Sequence, residues 1–179
     1  MKTLTLLRHA KSSWDDAAAR DFDRPLNKRG RQAARTVGRE MRALGLRFDQ
    51  VIASPAVRVV ETLRDVGDGY GGALDVQFDR RVYLASAETL LDLVHAARED
   101  GSALLLVGHN PGLENLALQL SGSGPLRAEI AIKYPTGTLT EISFDVEQWA
   151  DVGRGGGTVT RFIRPRDLDP ELGPDEDSY

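Results

Sequence analysis

The amino-acid sequence contains no cysteine and only three histidines in 179 residues. The absence of cysteine excludes disulfide bonds, catalysis by a thiol and metal sites built from thiolates, and it is compatible with a reducing cytosol. No stretch approaches the roughly 20 consecutive apolar residues that span a bilayer. The short apolar run at the N-terminus is followed at once by Arg8, His9 and Lys11, which is unlike a secretory signal peptide. We therefore expect a cytoplasmic protein that does not contact a membrane.

Charge and hydrophobic content are ordinary for a folded globular protein, with 41% hydrophobic residues and a formal net charge of −4. The acidic balance provides no global attraction to nucleic acid. At this length the simplest organisation is one domain, which we place at residues 1–166. Residues 167–179 carry six acidic side chains and are predicted to form a loose acidic tail.

The N-terminal segment, residues 2–10, is a run of leucine and threonine that ends in Arg8 and His9. Such a run is typical of a buried central strand in an α/β sheet, where catalytic groups collect at the carboxyl ends of the strands. A neutral imidazole is a good nucleophile, and an adjacent guanidinium supplies positive charge for an anion. The pair indicates attack on phosphorus, although a histidine after one apolar run also occurs by chance.

A second apolar run, residues 102–109, delivers another histidine, His109, at its carboxyl end. Two strands that end in histidine in one parallel sheet place both imidazoles across one cleft. The residues that follow start a predicted helix over 113–120, and its N-terminal N–H groups suit an anion as well.

Residues 28–44 are predicted to form an amphipathic helix that Asn27 caps. Its polar face carries four arginines, which we interpret as a solvated surface because no aromatic residues interleave with them: Arg31, Arg35, Arg39 and Arg42. Residues 48–53 predict a second strand, and Ser54 with Pro55 predicts the start of a helix that extends to about residue 64. Arg58 lies in its first turn, where a cation opposes the helix dipole, so a functional role is favoured.

The remaining segments of the sequence also predict strands and helices. The glycine-rich residues 65–72 are predicted to form a turn, residues 74–78 a short strand, and residues 87–98 a helix capped by Ser86. His95, inside that helix, is interpreted as structural. Residues 139–144 and 158–163 predict two strands that pair antiparallel at one edge of the sheet.

Four segments together resemble the histidine phosphatase superfamily, which contains the phosphoglycerate mutases. They are Arg8-His9-Ala10, residues 21–27 (DFDRPLN), residues 54–58 (SPAVR) and Gly108-His109. The second segment and the small size are most similar to the SixA-type phosphohistidine phosphatase branch of that family. The resemblance covers nearly all of residues 2–165.

The resemblance implies a three-layer α/β/α fold with a mostly parallel sheet and a reaction through a phosphohistidine intermediate, with no metal and no cofactor. It assigns His9 as the nucleophile, Arg8 and Arg58 as ligands of the phosphoryl oxygens, and His109 as the second histidine of the pocket. Arg24 corresponds to a further arginine near the pocket and is included as substrate-binding. The expected substrate is phosphohistidine in a protein, or a small phosphorylated molecule.

Because His9 must be neutral to attack and His109 is more useful when protonated, we expect their pKa values to be pushed apart. No carboxylate occupies the place where mutase-like members carry a general acid; Asp79 and Glu88 lie nearby in sequence, and neither is assigned. Two alternatives stay open: a small-molecule phosphomonoesterase of the same fold, and a non-catalytic module that binds phosphate or phosphoproteins. Nucleic-acid binding is not expected, and the sequence does not indicate an oligomeric state.

Overall fold

A six-stranded sheet organises the chain, and the computed structural model describes residues 1–173 of it. The strands are β1 (Lys2–Arg8), β2 (Gln50–Ala53), β3 (Val76–Phe78), β4 (Ala103–Gly108), β5 (Leu139–Phe144) and β6 (Gly157–Ile163). Their order across the sheet is β3-β2-β4-β1-β5-β6. Strands β1 to β4 are mutually parallel, whereas β5 runs antiparallel to β1 and β6 antiparallel to β5. The predicted mostly parallel sheet with an antiparallel edge is confirmed.

Helices cover both faces of this sheet. Alternate side chains of a strand point to opposite faces, so Leu4 and Leu6 belong to one hydrophobic cluster and Leu7 to the other. Helices α1 (Lys28–Ala43) and α2 (Val57–Tyr70) pack in the cluster that holds Leu7, and α3 (Ala87–His95) and α4 (Gly112–Leu120) pack in the cluster of Leu4 and Leu6. The expected three layers are therefore present. Two shorter helices, α5 (Pro125–Ile132) and α6 (Pro165–Leu168), complete the set.

Helix α2 is longer than predicted and extends through Tyr70, because Gly69, inside the predicted turn of residues 65–72, serves helix packing. A Cβ on Gly69 would lie 2.1 Å from the carbonyl oxygen of Arg35 in α1, and one on Gly38 would lie 2.1 Å from the carbonyl oxygen of Val66. The two helices thus approach backbone to backbone, and glycine is required for that approach. The turn comes only at Gly71, which has a left-handed φ of 90°.

The helices otherwise follow local signals, with three exceptions. Asn27 caps α1 by accepting a hydrogen bond from the Gly30 N–H at 2.7 Å, and Ser86 caps α3, as predicted. Ser54, however, does not cap α2, because the N-cap residue is Ala56 and the Ser54 side chain faces the site described below. Helix α5 was not predicted, and α3 ends at His95, short of residue 98.

The start of the expected acidic tail is folded. Residues 165–168 form α6, a 3-10 turn spans Pro170–Leu172, and Arg29 of α1 donates a hydrogen bond to the Glu171 carbonyl oxygen at 2.7 Å. The prediction of a loose segment from residue 167 therefore does not describe residues 167–173. The remainder of the predicted tail, residues 174–179, lies outside the described residues.

The contacts support the interpretation of His95 and only in part that of the arginine face of α1 as a solvated surface. In the arginine face of α1, Arg31 pairs with Glu61 at 3.7 Å and Arg35 with Asp65 at 3.6 Å, so this face partly serves to hold α2. His95 contacts the Val152 carbonyl oxygen through Nε2 at 2.7 Å, which is a structural role. Within residues 1–173, no helix has the length and apolar character needed to cross a membrane.

Candidate active site

The sheet brings the two predicted histidines to the same edge. Strands β1 and β4 are neighbours in parallel register, with Arg8 opposite Gly108, so the residues that follow them emerge side by side. The ring centroids of His9 and His109 lie 5.3 Å apart. Strand β2 is the other neighbour of β4, and α2, which follows β2, carries Arg58 in its first turn. Three strand ends therefore assemble one cluster of cationic and imidazole groups.

The His9 imidazole is held in one tautomer. Its Nδ1 lies 2.7 Å from the Ala10 carbonyl oxygen, which can only accept, so Nδ1 carries the proton and Nε2 keeps its lone pair. Burial lowers the pKa of His9 well below its ordinary value; the bond to Ala10 opposes this, and the charges of Arg8 and Arg58 add to it. His9 is therefore neutral at neutral pH.

Ala10 is itself fixed by the helix that carries Arg58. Its N–H donates to the Thr62 hydroxyl at 2.9 Å, and that hydroxyl donates to the Arg58 carbonyl oxygen at 2.7 Å. Thr62 is fully buried, so these are the partners that satisfy it. The position of the His9 ring is thereby coupled to the first turn of α2.

His109 is also neutral, which differs from the expected cation. Its Nδ1 lies 3.2 Å from Nη2 of Arg58, which can only donate, so the ring proton is on Nε2 and is donated to the Ser54 hydroxyl at 2.8 Å. Burial and the Arg58 charge lower the pKa of His109 from 6.5 to about 3. The pKa values of both rings are thus lowered, because both rings are buried and both face the charges of Arg8 and Arg58. An anionic phosphoryl group beside His109 would raise its pKa again.

Arg58 is bound by a carboxylate that was not singled out from the sequence. Its Nη1 donates to the Asp21 carbonyl oxygen at 2.6 Å, and its Nη2 donates to Asp21 Oδ2 at 3.0 Å. Tyr83 also donates to Asp21 Oδ2. Partial burial raises the pKa of Asp21, but the Tyr83 hydrogen bond and the Arg58 charge outweigh it and hold the pKa below its ordinary value. Asp21 is therefore ionised.

Arg8 and Arg24 both lie in the cluster, in different settings. Arg8 is buried and donates to the Tyr134 carbonyl oxygen at 2.7 Å. Arg24 is also buried, and its guanidinium lies 3.8 Å from the ring centroid of Trp14. Its terminal nitrogens reach carbonyl oxygens of the loop formed by residues 11–25, whereas its Nε is buried without a hydrogen-bond partner among the described residues.

These groups line an open cleft of about 180 Å³. All five predicted site residues line it: Arg8, His9, Arg24, Arg58 and His109. Asp21, Ser12, Trp14, Leu84 and Asn110, which also line it, come from loops whose path the sequence pattern does not reveal.

The two carboxylates considered as general acids, Asp79 and Glu88, do not line the cleft. Asp79 caps a 3-10 turn and pairs with Arg81 at 2.7 Å, and Glu88 lies in the first turn of α3. Over residues 1–173, no group of three or more histidine and carboxylate side chains is arranged to hold a metal ion.

Comparison with known sequences places this site in a family context. The model of the histidine phosphatase superfamily (branch 1) matches residues 4–83, which include His9 and Arg58. An uncharacterised chloroplastic protein of Arabidopsis thaliana is 36% identical over 92% of this chain and 78% of its own length. An uncharacterised protein of Mycobacterium tuberculosis is 34% identical over 89% of this chain and 100% of its own.

Solved structures agree with the sequence relatives. The SixA protein of Agrobacterium tumefaciens, assigned as a phosphohistidine phosphatase, superposes with a TM-score of 0.78 at 29% identity and covers 92% of this chain and 98% of that one. A SixA protein of Nakamurella multipartitia, with the same assignment, gives a TM-score of 0.78 at 28% identity, covering 92% and 96%. A phosphoserine phosphatase of Entamoeba histolytica shares the fold at a TM-score of 0.62 and 17% identity, covering 94% and 100%.

Proposed function

We propose that this chain, which belongs to the histidine phosphatase superfamily and to its SixA-type branch, removes phosphoryl groups from phosphohistidine in proteins through a covalent intermediate on His9. The family supports phosphatase chemistry in general. The choice of His9 as nucleophile, the independence from metal and the phosphohistidine substrate are the parts that the proposal adds. The reaction is assigned to a single domain without a cofactor.

The observation that carries the proposal is the fixed, neutral tautomer of His9. An imidazole attacks phosphorus through a nitrogen lone pair, and protonation would remove it. The Ala10 carbonyl oxygen takes the proton of Nδ1, and burial beside two arginines disfavours a second proton. A site that only bound phosphate would need the arginines but would gain nothing from a neutral imidazole held this way.

The arginines supply the charge that phosphoryl transfer requires. The transferred group carries negative charge on three equatorial oxygens, and catalysis consists mainly of positioning and neutralising it. Arg8 and Arg58 provide two fixed guanidinium groups at the same sheet edge as His9. Charge-assisted bonds from guanidinium groups to phosphoryl oxygens are strong and directional, so these side chains serve the role that Mg²⁺ has elsewhere.

The cleft favours a leaving group that needs little protonation. Among residues 1–173, Asp21 is the one carboxylate that lines it; this side chain is ionised and bound to Arg58, and neither Asp79 nor Glu88 reaches the cleft. When the second ring nitrogen of phosphohistidine carries a proton, the P–N bond breaks to release neutral imidazole, whose conjugate acid has a pKa of roughly 6.5, whereas an alkoxide is about nine units more basic, taking water at 15.7 as its model. A phosphoramidate therefore suits this site better than an alkyl phosphate.

The two steps balance as follows. The second ring nitrogen of the substrate takes up a proton from solvent, and Nε2 of His9 then forms a bond to phosphorus as the P–N bond of the substrate breaks and releases neutral imidazole. Water then attacks the phosphorus of the intermediate as the bond between phosphorus and Nε2 of His9 breaks; the protons of that water stay on orthophosphate or pass to solvent, and His9 returns to its neutral form with the proton on Nδ1. His109 lies beside both steps, and a bound anion favours its protonated form.

The test compares wild type with His9→Ala on a protein phosphorylated on histidine and on p-nitrophenyl phosphate, each with and without a chelator. We expect activity that resists the chelator and disappears in the variant. His95→Gln is the matched control, because His95 lies at the C-terminal end of α3, contacts the Val152 carbonyl oxygen and does not line the cleft.

A quench experiment tests the intermediate directly. Wild type mixed with labelled substrate should carry label that is stable to base and labile to acid, and His9→Ala should carry none. Full activity in His9→Ala would overturn the mechanism. A strong preference for an alkyl ester over phosphohistidine would overturn the substrate assignment while leaving the nucleophile in place.

A further inference from the structure

Two large apolar side chains stand exposed at the mouth of the cleft. Trp14 is 60% exposed and Leu84 is 56% exposed, yet both line the cleft that contains His9 and His109. They come from different connections: Trp14 follows β1, and Leu84 precedes α3. Apolar side chains placed at the entrance of an otherwise cationic cleft require an explanation other than core packing.

Trp14 is held in place and not merely left on a loop. The loop of residues 11–25 is closed at its base by the bridge between Ser12 and Leu26 and by the Ser13 N–H, which donates to the Pro25 carbonyl oxygen at 2.8 Å. Trp14 lies directly after this base, and its ring rests on the guanidinium of Arg24 at 3.8 Å. One face of the indole is thus supported, while most of the side chain stays accessible.

Leu84 adopts a backbone conformation that leucine rarely takes. Its φ is 50°, the one positive φ outside glycine among residues 1–173. This left-handed region is unfavourable for residues with a Cβ, and such conformations concentrate at functional sites. Because the side chain is exposed, the conformation gains no core burial in return. Its evident result is that an apolar side chain faces the cleft.

We propose that Trp14 and Leu84 form the leaving-group site of this enzyme and select a planar aromatic ring, the imidazole of the phosphorylated histidine. This inference rests on the proposed function, since it assumes that the phosphoryl group binds among Arg8, His9 and Arg58. The leaving group then points to the mouth, where an indole face and a leucine provide stacking and apolar contact. Polyhydroxylated leaving groups gain little from these two apolar side chains. The ionised Asp21 disfavours anionic leaving groups.

The test measures binding without turnover. Phenylphosphonate and methylphosphonate share one anionic head and differ in the group that occupies the leaving-group position. Titration calorimetry on the whole chain should show phenylphosphonate binding roughly fivefold to tenfold more tightly than methylphosphonate. Trp14→Ala and Leu84→Gly should each remove most of this preference while methylphosphonate affinity changes less than about twofold.

The variants are chosen so that folding does not obscure the result. Leu84→Gly removes the side chain and suits the left-handed backbone, so stability should not fall. Ile132→Ala is the matched control, because Ile132 is 84% exposed and does not line the cleft. Equal binding of the two phosphonates by wild type, or an unchanged preference in both variants, would overturn the proposal. Failure of His9-dependent turnover with the phenyl preference intact would instead contradict the proposed function and leave the aromatic site standing.

Discussion

Acid should lower the free energy of unfolding of this protein, because His109 is buried in its neutral form. In the folded state the ring is neutral and its pKa is lowered from 6.5 to about 3, because burial and Arg58 oppose a second proton. The unfolded chain takes up that proton below about pH 6.5, and the folded chain does not until about pH 3. Stability from this group is therefore complete above the unfolded pKa and falls as pH decreases towards the folded pKa.

At pH 5 the predicted loss is about 2 kcal/mol, since the unfolded histidine is then protonated by a ratio of roughly thirty to one and each pH unit corresponds to 1.36 kcal/mol. A folded-state pKa of about 3 leaves His109 neutral at this pH, so the unfolded chain determines the figure. Solvent screening does not reduce this free-energy loss, because only 3% of His109 is exposed.

Urea unfolding of wild type and His109→Gln, at about pH 7.5 and about pH 5, measures this loss. Glutamine keeps an acceptor for Arg58 and a donor for Ser54 but does not titrate. The free energy of unfolding should fall by about 2 kcal/mol less in the variant than in wild type between the two pH values. His9 is present in both proteins, so its contribution cancels. Identical pH dependence in the two proteins would refute the reasoning.

Two further predictions concern the contact between α1 and α2 and the support of the His9 ring. Gly69→Ala should lower the free energy of unfolding by about 1–3 kcal/mol in chemical denaturation, because its Cβ would lie 2.1 Å from a backbone oxygen of α1. Gly72→Ala, where a Cβ meets nothing within 4 Å, should stay within about 0.5 kcal/mol of wild type. Thr62→Val should cost about 1–3 kcal/mol of stability, since the buried Ala10 N–H loses its acceptor. It should also lower kcat roughly tenfold, or about 1.4 kcal/mol, through the His9 ring that Ala10 holds. Wild-type stability in Gly69→Ala, or wild-type kcat in Thr62→Val, would contradict these assignments.

The sequence predicts those site residues that the strands of the sheet position. Arg8, His9 and His109 directly follow apolar runs, and Arg58 follows a strand and a proline, so topology alone places them together. Their protonation was harder to predict. The charge of His109 depends on the distance between its Nδ1 and the Arg58 guanidinium, and residue order does not contain that distance.

The features that the sequence does not predict depend on tertiary contacts. Asp21 reaches Arg58 only because the loop of residues 11–25 folds back over α2, and Tyr83 reaches Asp21 from a third connection. The glycines of residues 65–72 predict a turn, but α2 continues through Gly69, because glycine is typical both of a turn and of a close contact between helices. Likewise, acidic composition suggested a loose segment after residue 166, but the contact between Arg29 and the Glu171 carbonyl oxygen cannot be inferred from composition.

The residues that line the cleft come from two kinds of element, central strands and surface connections. This difference affects how such an enzyme can change during evolution. Arg8, His9 and His109 extend from adjacent central strands, where a shift of one would disturb the hydrophobic packing on both faces of the sheet. Trp14 and Leu84 sit on surface connections that can lengthen, shorten or mutate with little effect on that packing. The two connections can therefore change in length and sequence while the arginine and imidazole groups of the sheet edge stay in place.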